Sequence, residues 1–115
     1  MATMTLSPAD NGKSVTVRAG DTLTLQLDEI PTTGFRWAVD QSNPDLVALQ
    51  RTDYFPAPAT GVGGGGRRVF VFQAKKAGTG RLALKLWRDW EGERSVTQRF
   101  EITLGVKDGG TSVGP

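Results

Sequence analysis

The sequence predicts an all-β fold, an antiparallel β-sandwich of about seven to eight strands. Three observations predict it. Apolar and polar residues alternate with period two along most of the chain. Helical periodicity is nearly absent. The segments between alternating runs are rich in glycine, proline, asparagine and aspartate. A length of 115 residues fits one domain, and 15 glycines and 6 prolines supply turns for many short strands.

Taken in order, a short strand is expected near residues 3–6, followed by the turn "PADNGK" (8–13). "SVTVR" (14–18) points Val15 and Val17 one way, and after the turn "AGD" (19–21), "TLTLQLD" (22–28) does the same with Leu23, Leu25 and Leu27. "FRWAVD" (35–40) sets Phe35, Trp37 and Val39 against Arg36, Ala38 and Asp40, and "QSNPD" (41–45) ends that run. "LVALQRTDYF" (46–55) is strand-like with a less regular alternation, whereas "RRVFVFQAK" (67–75) is apolar on both faces and reads as a central strand. After "KAGTG" (76–80), "RLALKLW" (81–87) faces Leu82, Leu84 and Leu86 inward, and "SVTQRFEITL" (95–104) faces Val96, Phe100, Ile102 and Leu104 inward. A core tryptophan, Trp37, on one strand makes the sandwich immunoglobulin-like. The domain is expected over residues 1–106, with a flexible tail over 107–115.

The chain has no cysteine and no histidine. Disulfides, thiol nucleophiles, thiolate or imidazole metal sites and Ser-His-Asp machinery are therefore out of reach. Asp28 and Glu29 are adjacent carboxylates, but neighbours at a strand end point apart and no second element converges on them. The chain reads as a binding protein rather than an enzyme, with no catalytic residue, cofactor or metal. Fourteen Lys and Arg against 12 Asp and Glu leave a formal charge of +2, with no basic run interleaved with aromatics, so nucleic acid is not expected as a partner. No apolar run has signal-peptide length, and no window reaches the ~18 apolar residues of a membrane span. A membrane partner is not expected. Localisation stays open between the cytoplasm and export with a leader removed. A monomer is expected.

The unusual sequence lies in three joins. In an up-and-down sandwich every second connection falls at the same end, which places "EIPTTG" (29–34), "PAPATGVGGGG" (56–66) and "RDWEGER" (88–94) on one rim. The expected arrangement is two hairpin tips and a glycine-rich crossover at one pole. Pro31 and Gly34 are ordinary turn residues, but no turn type requires both Thr32 and Thr33. Gly61, Gly63 and Gly66 fit G-x-G-x-x-G, yet a strand follows them where a dinucleotide site needs a helix. Glycines here would let backbone approach a partner closely. Trp90 lies in a polar loop beside Arg88, a hot-spot composition. Trp87, Arg88, Asp89 and Trp90 also compose a sugar platform, so a non-catalytic carbohydrate-binding or adhesion module is the alternative reading.

Those three motifs, in that order, resemble the chagasin family of papain-like cysteine peptidase inhibitors, whose pattern is N-P-T-T-G-x-x-W, then G-x-G-G, then R-P-W/F. The first reads Ile30-Pro31-Thr32-Thr33-Gly34-Phe35-Arg36-Trp37, the second Gly61-Val62-Gly63-Gly64 or Gly63-Gly64-Gly65-Gly66, and the third Arg88-Asp89-Trp90. The spacing to "KKAGT" (75–79) favours the second glycine register, and the resemblance spans roughly residues 12 to 104. It implies an immunoglobulin-like fold and reversible, non-covalent occlusion of a papain- or cathepsin L-type active-site cleft. Thr32 would sit closest to the catalytic groups, with Pro31, Thr33 and Gly34 forming the rest of the tip. Gly63, Gly64, Gly65 and Gly66 would lie alongside as backbone. Trp90 would pack on an apolar surface, and Arg88 would assist near the rim. Ile30 lacks the side-chain hydrogen bonds with which asparagine would brace the first loop, and Asp89 is less rigid than proline.

Overall fold

Eight strands form two four-stranded sheets in a computed structural model that describes residues 2–56 and 65–108. They are β1 (Thr3–Leu6), β2 (Ser14–Arg18), β3 (Thr22–Glu29), β4 (Arg36–Gln41), β5 (Val47–Pro56), β6 (Gly66–Ala74), β7 (Gly78–Trp87) and β8 (Gln98–Lys107). One sheet has the order β1-β3-β6-β5 and the other β2-β8-β7-β4. Period-two alternation gives each sheet an apolar inner face. Leu23, Leu25 and Leu27 from β3 meet Leu82 and Leu84 from β7 and Phe100, Ile102 and Leu104 from β8 in one buried cluster. Each such side chain contributes about 1.5–3 kcal/mol by leaving water. Trp37 is buried with them, and its indole N–H donates to the Asp28 carbonyl oxygen at 2.8 Å.

The sandwich is as the alternation predicts, and the double-sided apolar run forms the central strand β6, flanked by β3 and β5. The strand directions are antiparallel except at two edges, where β1 pairs with β3 and β2 pairs with β8 in parallel. Such pairs are invisible to alternation, because the facing pattern of a strand is the same in either direction. The irregular alternation of β5 corresponds to a register shift between Leu49 and Arg51. β7 starts earlier than expected because Gly78 and Gly80 pair with Val106 and Leu104. Both glycines pack under the Leu46 side chain, where a Cβ on Gly80 would come within 3.1 Å. β8 starts later than expected, since residues 93–95 form a 3₁₀ turn, and Val96 is only half-buried. The expected tail falls largely beyond the described residues, although Lys107 still pairs with Arg18.

The joins at the plain pole are held together by backbone bonds, from Gly20 N–H to Ala74 O at 2.9 Å and from Lys75 N–H to Leu46 O at 2.8 Å. At the opposite pole lie the crossover after β3, the join after β7, and the ends of β5 and β6 that flank residues 57–64, which are outside the described residues. Their topology differs from the expectation in one respect. Residues 56–66 join β5 to β6 within one sheet, and residues 88–97 join β7 to β8 within the other. The sheet-to-sheet crossover is instead the segment between β3 and β4 that carries "PTTG". It therefore sits between the β5–β6 pair of one sheet and the β7–β8 pair of the other.

Candidate functional site

Pro31, Thr32 and Thr33 form a single 3₁₀ turn at the crossover. The turn is braced from within. The Ile30 carbonyl oxygen accepts the Thr33 N–H at 3.1 Å and the Thr33 hydroxyl at 2.7 Å, and Thr33 Oγ1 in turn accepts the Phe35 N–H at 3.2 Å. Thr33 thus supplies a side-chain brace that does not depend on asparagine at position 30. The Thr32 side chain is exposed, and no hydrogen bond engages it among the described residues. Gly34 follows with φ +82°, a left-handed conformation that favours glycine. A Cβ there would also stand 2.8 Å from Cη2 of Trp90, so the position is closed to side chains twice over.

Beneath the turn lies a charge that the alternation of β3 carries into the core. Glu29 continues the Leu23, Leu25, Leu27 phase and is 2% exposed. Its Oε1 accepts the Trp37 N–H at 2.9 Å, which occupies a donor on the edge strand β4. Its Oε2 accepts both Nε and Nη2 of Arg68, at 3.1 and 2.8 Å. The Arg68 guanidinium lies over the Tyr54 ring, 5.4 Å from its centroid, and the Tyr54 hydroxyl donates to the Glu29 carbonyl oxygen at 3.4 Å. One ion pair therefore ties β3, β4, β5 and β6 together below the crossover. Asp28, its neighbour, is exposed.

Arg88 fastens the third loop to the first. Nε and Nη2 both donate to the Thr33 carbonyl oxygen, at 3.1 and 2.9 Å, and the guanidinium covers the Phe35 ring at 4.4 Å. Its remaining nitrogen reaches Glu91 at 3.4 Å. The planar fork of arginine suits this double contact, and lysine could not reproduce it. Ser95 closes the same loop at its base. Its buried hydroxyl accepts the Arg88 N–H at 3.0 Å and lies 2.7 Å from the Gly92 carbonyl oxygen. Glu93 anchors the loop to the outer face of the sheet through Lys85 and through Arg99 at 3.3 Å, while Asp40 bridges the same two cations at 3.3 and 3.1 Å. The hydrogen bond from Lys85 holds the Glu93 carboxyl below its ordinary range, with Arg99 assisting against a smaller desolvation effect. The same bond raises the Lys85 ammonium above its ordinary value. With the loop held at its base and flank, Trp90 stands 68% exposed beside Gly34.

Of the expected site residues, Thr32, Thr33, Gly34, Arg88 and Trp90 are thus gathered on one rim, together with the Pro31 backbone. Gly65 and Gly66 join them, since a Cβ on Gly65 would lie 3.5 Å from Ile30 Cγ1. Gly63 and Gly64 lie outside the described residues. Two roles change. Arg88 is engaged within the chain, joining two loops, in addition to any contact at the rim. Gly66 is glycine for an internal reason, because a Cβ would strike the Phe55 carbonyl oxygen and the Tyr54 hydroxyl. Of the alternative sugar platform, Trp87, Asp89 and Trp90 line one open pocket, but two of its members are engaged within the chain. Trp87 is half-buried with the Lys85 ammonium 3.7 Å from its ring centroid, and Arg88 is committed to Thr33 and Phe35. Among the described residues no group of three or more acidic side chains converges to hold a metal ion.

Residues 16–104 match the family described as Chagasin family peptidase inhibitor I42. The chain is 32% identical over 103 residues to Chagasin of Trypanosoma cruzi, covering 86% of this chain and 94% of that protein. Among solved structures it is similar to Leishmania mexicana ICP, at 29% identity and a TM-score of 0.64, covering 85% of this chain and 90% of the other. The cysteine protease inhibitor EhICP2 of Entamoeba histolytica shares the fold at 20% identity, with a TM-score of 0.81 over 93% of this chain and 97% of that one.

Proposed function

The chain belongs to the chagasin family of peptidase inhibitors, and from that premise we propose how it acts: as a reversible, non-covalent, competitive plug in the active-site cleft of a papain-like cysteine peptidase. Its function is inhibition and not catalysis. Thr32 is the leading side chain of the tip, Pro31, Thr33 and Gly34 shape the turn behind it, Gly63 to Gly66 run alongside as backbone, and Trp90 is the aromatic anchor. Arg88 belongs to the site by holding the tip and the anchor in one body. The inhibitory unit is the sandwich, expected over residues 1–106, and β8 carries it one residue further to Lys107.

One observation carries this reading. The Trp90 ring lies against Gly34 while Arg88 donates twice to Thr33, so tip and anchor are fixed relative to each other before any partner arrives. A preformed wedge loses little conformational entropy on docking. A plug of this shape buries roughly 1,600 Å² in total, the size at which specific protein complexes form. The test is a titration of the purified protein against papain or cathepsin L with a peptide substrate. The expected result is complete inhibition that rising substrate relieves and dilution reverses. Full peptidase activity at micromolar protein would contradict it.

A further inference from the structure

We propose that Ile30 and Phe55 form a second apolar contact on the rim, which docks on an apolar patch of the peptidase beside its cleft and sets which peptidases are inhibited. The proposal rests on the inhibitor reading above and names a specificity surface for it. Four large apolar side chains are exposed among the described residues: Ile30 at 50%, Leu49 at 47%, Phe55 at 57% and Trp90 at 68%. Leu49 lies within β5 at its register shift. The other three share the loop pole. Ile30 and Phe55, with Pro56, Gly65 and Gly66, line one open groove that Asp28, Glu29 and Arg67 also border. It flanks the crossover on the side of the β1-β3-β6-β5 sheet, whereas Trp90 flanks it on the side of the other sheet. The tip at Thr32 therefore has an apolar element to either side.

Among the described residues, nothing inside the fold calls for isoleucine at position 30. The turn is braced by the Ile30 carbonyl oxygen, which any residue supplies. Phe55, the penultimate residue of β5, is 57% exposed. Two large exposed apolar side chains on one groove, bordered by Asp28 and Arg67, fit an apolar contact with a charged rim. The surface is continuous with the docking rim, since Ile30 immediately precedes the tip and reaches toward Gly65. That continuity makes the peptidase its occupant, rather than a second copy of this chain.

The test uses Ile30→Asn, Phe55→Ser and the double variant, titrated against papain and cathepsin L, with Trp90→Ala beside them. The double variant is expected to lose about ten-fold or more in inhibition constant. The losses should differ between the two peptidases, while the melting temperature stays with that of the parent. Unchanged inhibition by the double variant, with Trp90→Ala still weakened, would overturn this proposal and leave the inhibitor reading standing. Tighter inhibition by Ile30→Asn would overturn it as well. So would loss of self-association in sedimentation with inhibition unchanged, which would assign the patch to a second copy. A parent protein that inhibits neither enzyme would remove both readings together.

Discussion

Replacing Glu29 with alanine is expected to destabilise the protein by about 3 kcal/mol or more, the scale for breaking a buried ion pair from one side. The carboxylate is fully buried and has three donors from two residues, Trp37 N–H and the Nε and Nη2 of Arg68. Its loss leaves the Arg68 guanidinium, with a side chain only 19% exposed, without a counter-charge, and it frees a backbone donor on an edge strand. For a domain of this size the melting temperature should fall on the order of 10 °C or more. Glu29→Gln should fall between parent and alanine, since an amide oxygen still accepts the Trp37 N–H. Urea unfolding of the three proteins checks the order. A change below about 0.5 kcal/mol for alanine, the range of ordinary surface substitutions, would show that the pair does not hold the crossover.

Trp90→Ala is expected to do the opposite: little to stability, and much to binding. The ring is 68% exposed and lies beside Gly34 on the surface, so its removal leaves no core cavity. If it anchors the complex, inhibition should weaken by ~1–3 kcal/mol, roughly five- to 150-fold in the inhibition constant. The melting temperature should move by no more than a degree or two. Paired inhibition and thermal-melt measurements separate the outcomes. A large drop in melting temperature would make Trp90 a structural residue. Unchanged inhibition would remove it from the interface.

The fold was legible because alternation is a local consequence of a half-buried strand. Leu23, Leu25 and Leu27, the double-sided run of β6, and the core position of Trp37 all follow from it. The shared pole of the joins after β3 and β7 followed from counting connections, whereas the approach of Trp90 to Gly34 is seen only in the structure. Other features depend on tertiary partners that no local pattern contains. The parallel edges of β1 and β2 have the same alternation as antiparallel ones. The inward carboxylate of Glu29 was signalled by its phase with Leu27, but its meaning needed Arg68, which lies 39 residues away. Arg88 resembled a rim residue by composition, and only the placement of the Thr33 carbonyl oxygen shows its double hydrogen bond. Gly66 was a backbone-approach residue by composition, yet the backbone it admits is that of Phe55 in the same chain.

A peptidase is expected to meet one preformed rim, made by the crossover, the join between β7 and β8, and Gly65 and Gly66 at the start of β6. The most direct measurement is an amide chemical-shift footprint of the labelled protein with a papain-like peptidase whose catalytic cysteine is replaced by alanine. Signals of residues 32–34, 65–66 and 88–90 are expected to shift or broaden together, while residues 19–21, 43–45 and 75–76 at the opposite pole stay unchanged. Perturbations confined to that opposite pole or to the outer sheet faces, or reaching only one of the three loops, would contradict it.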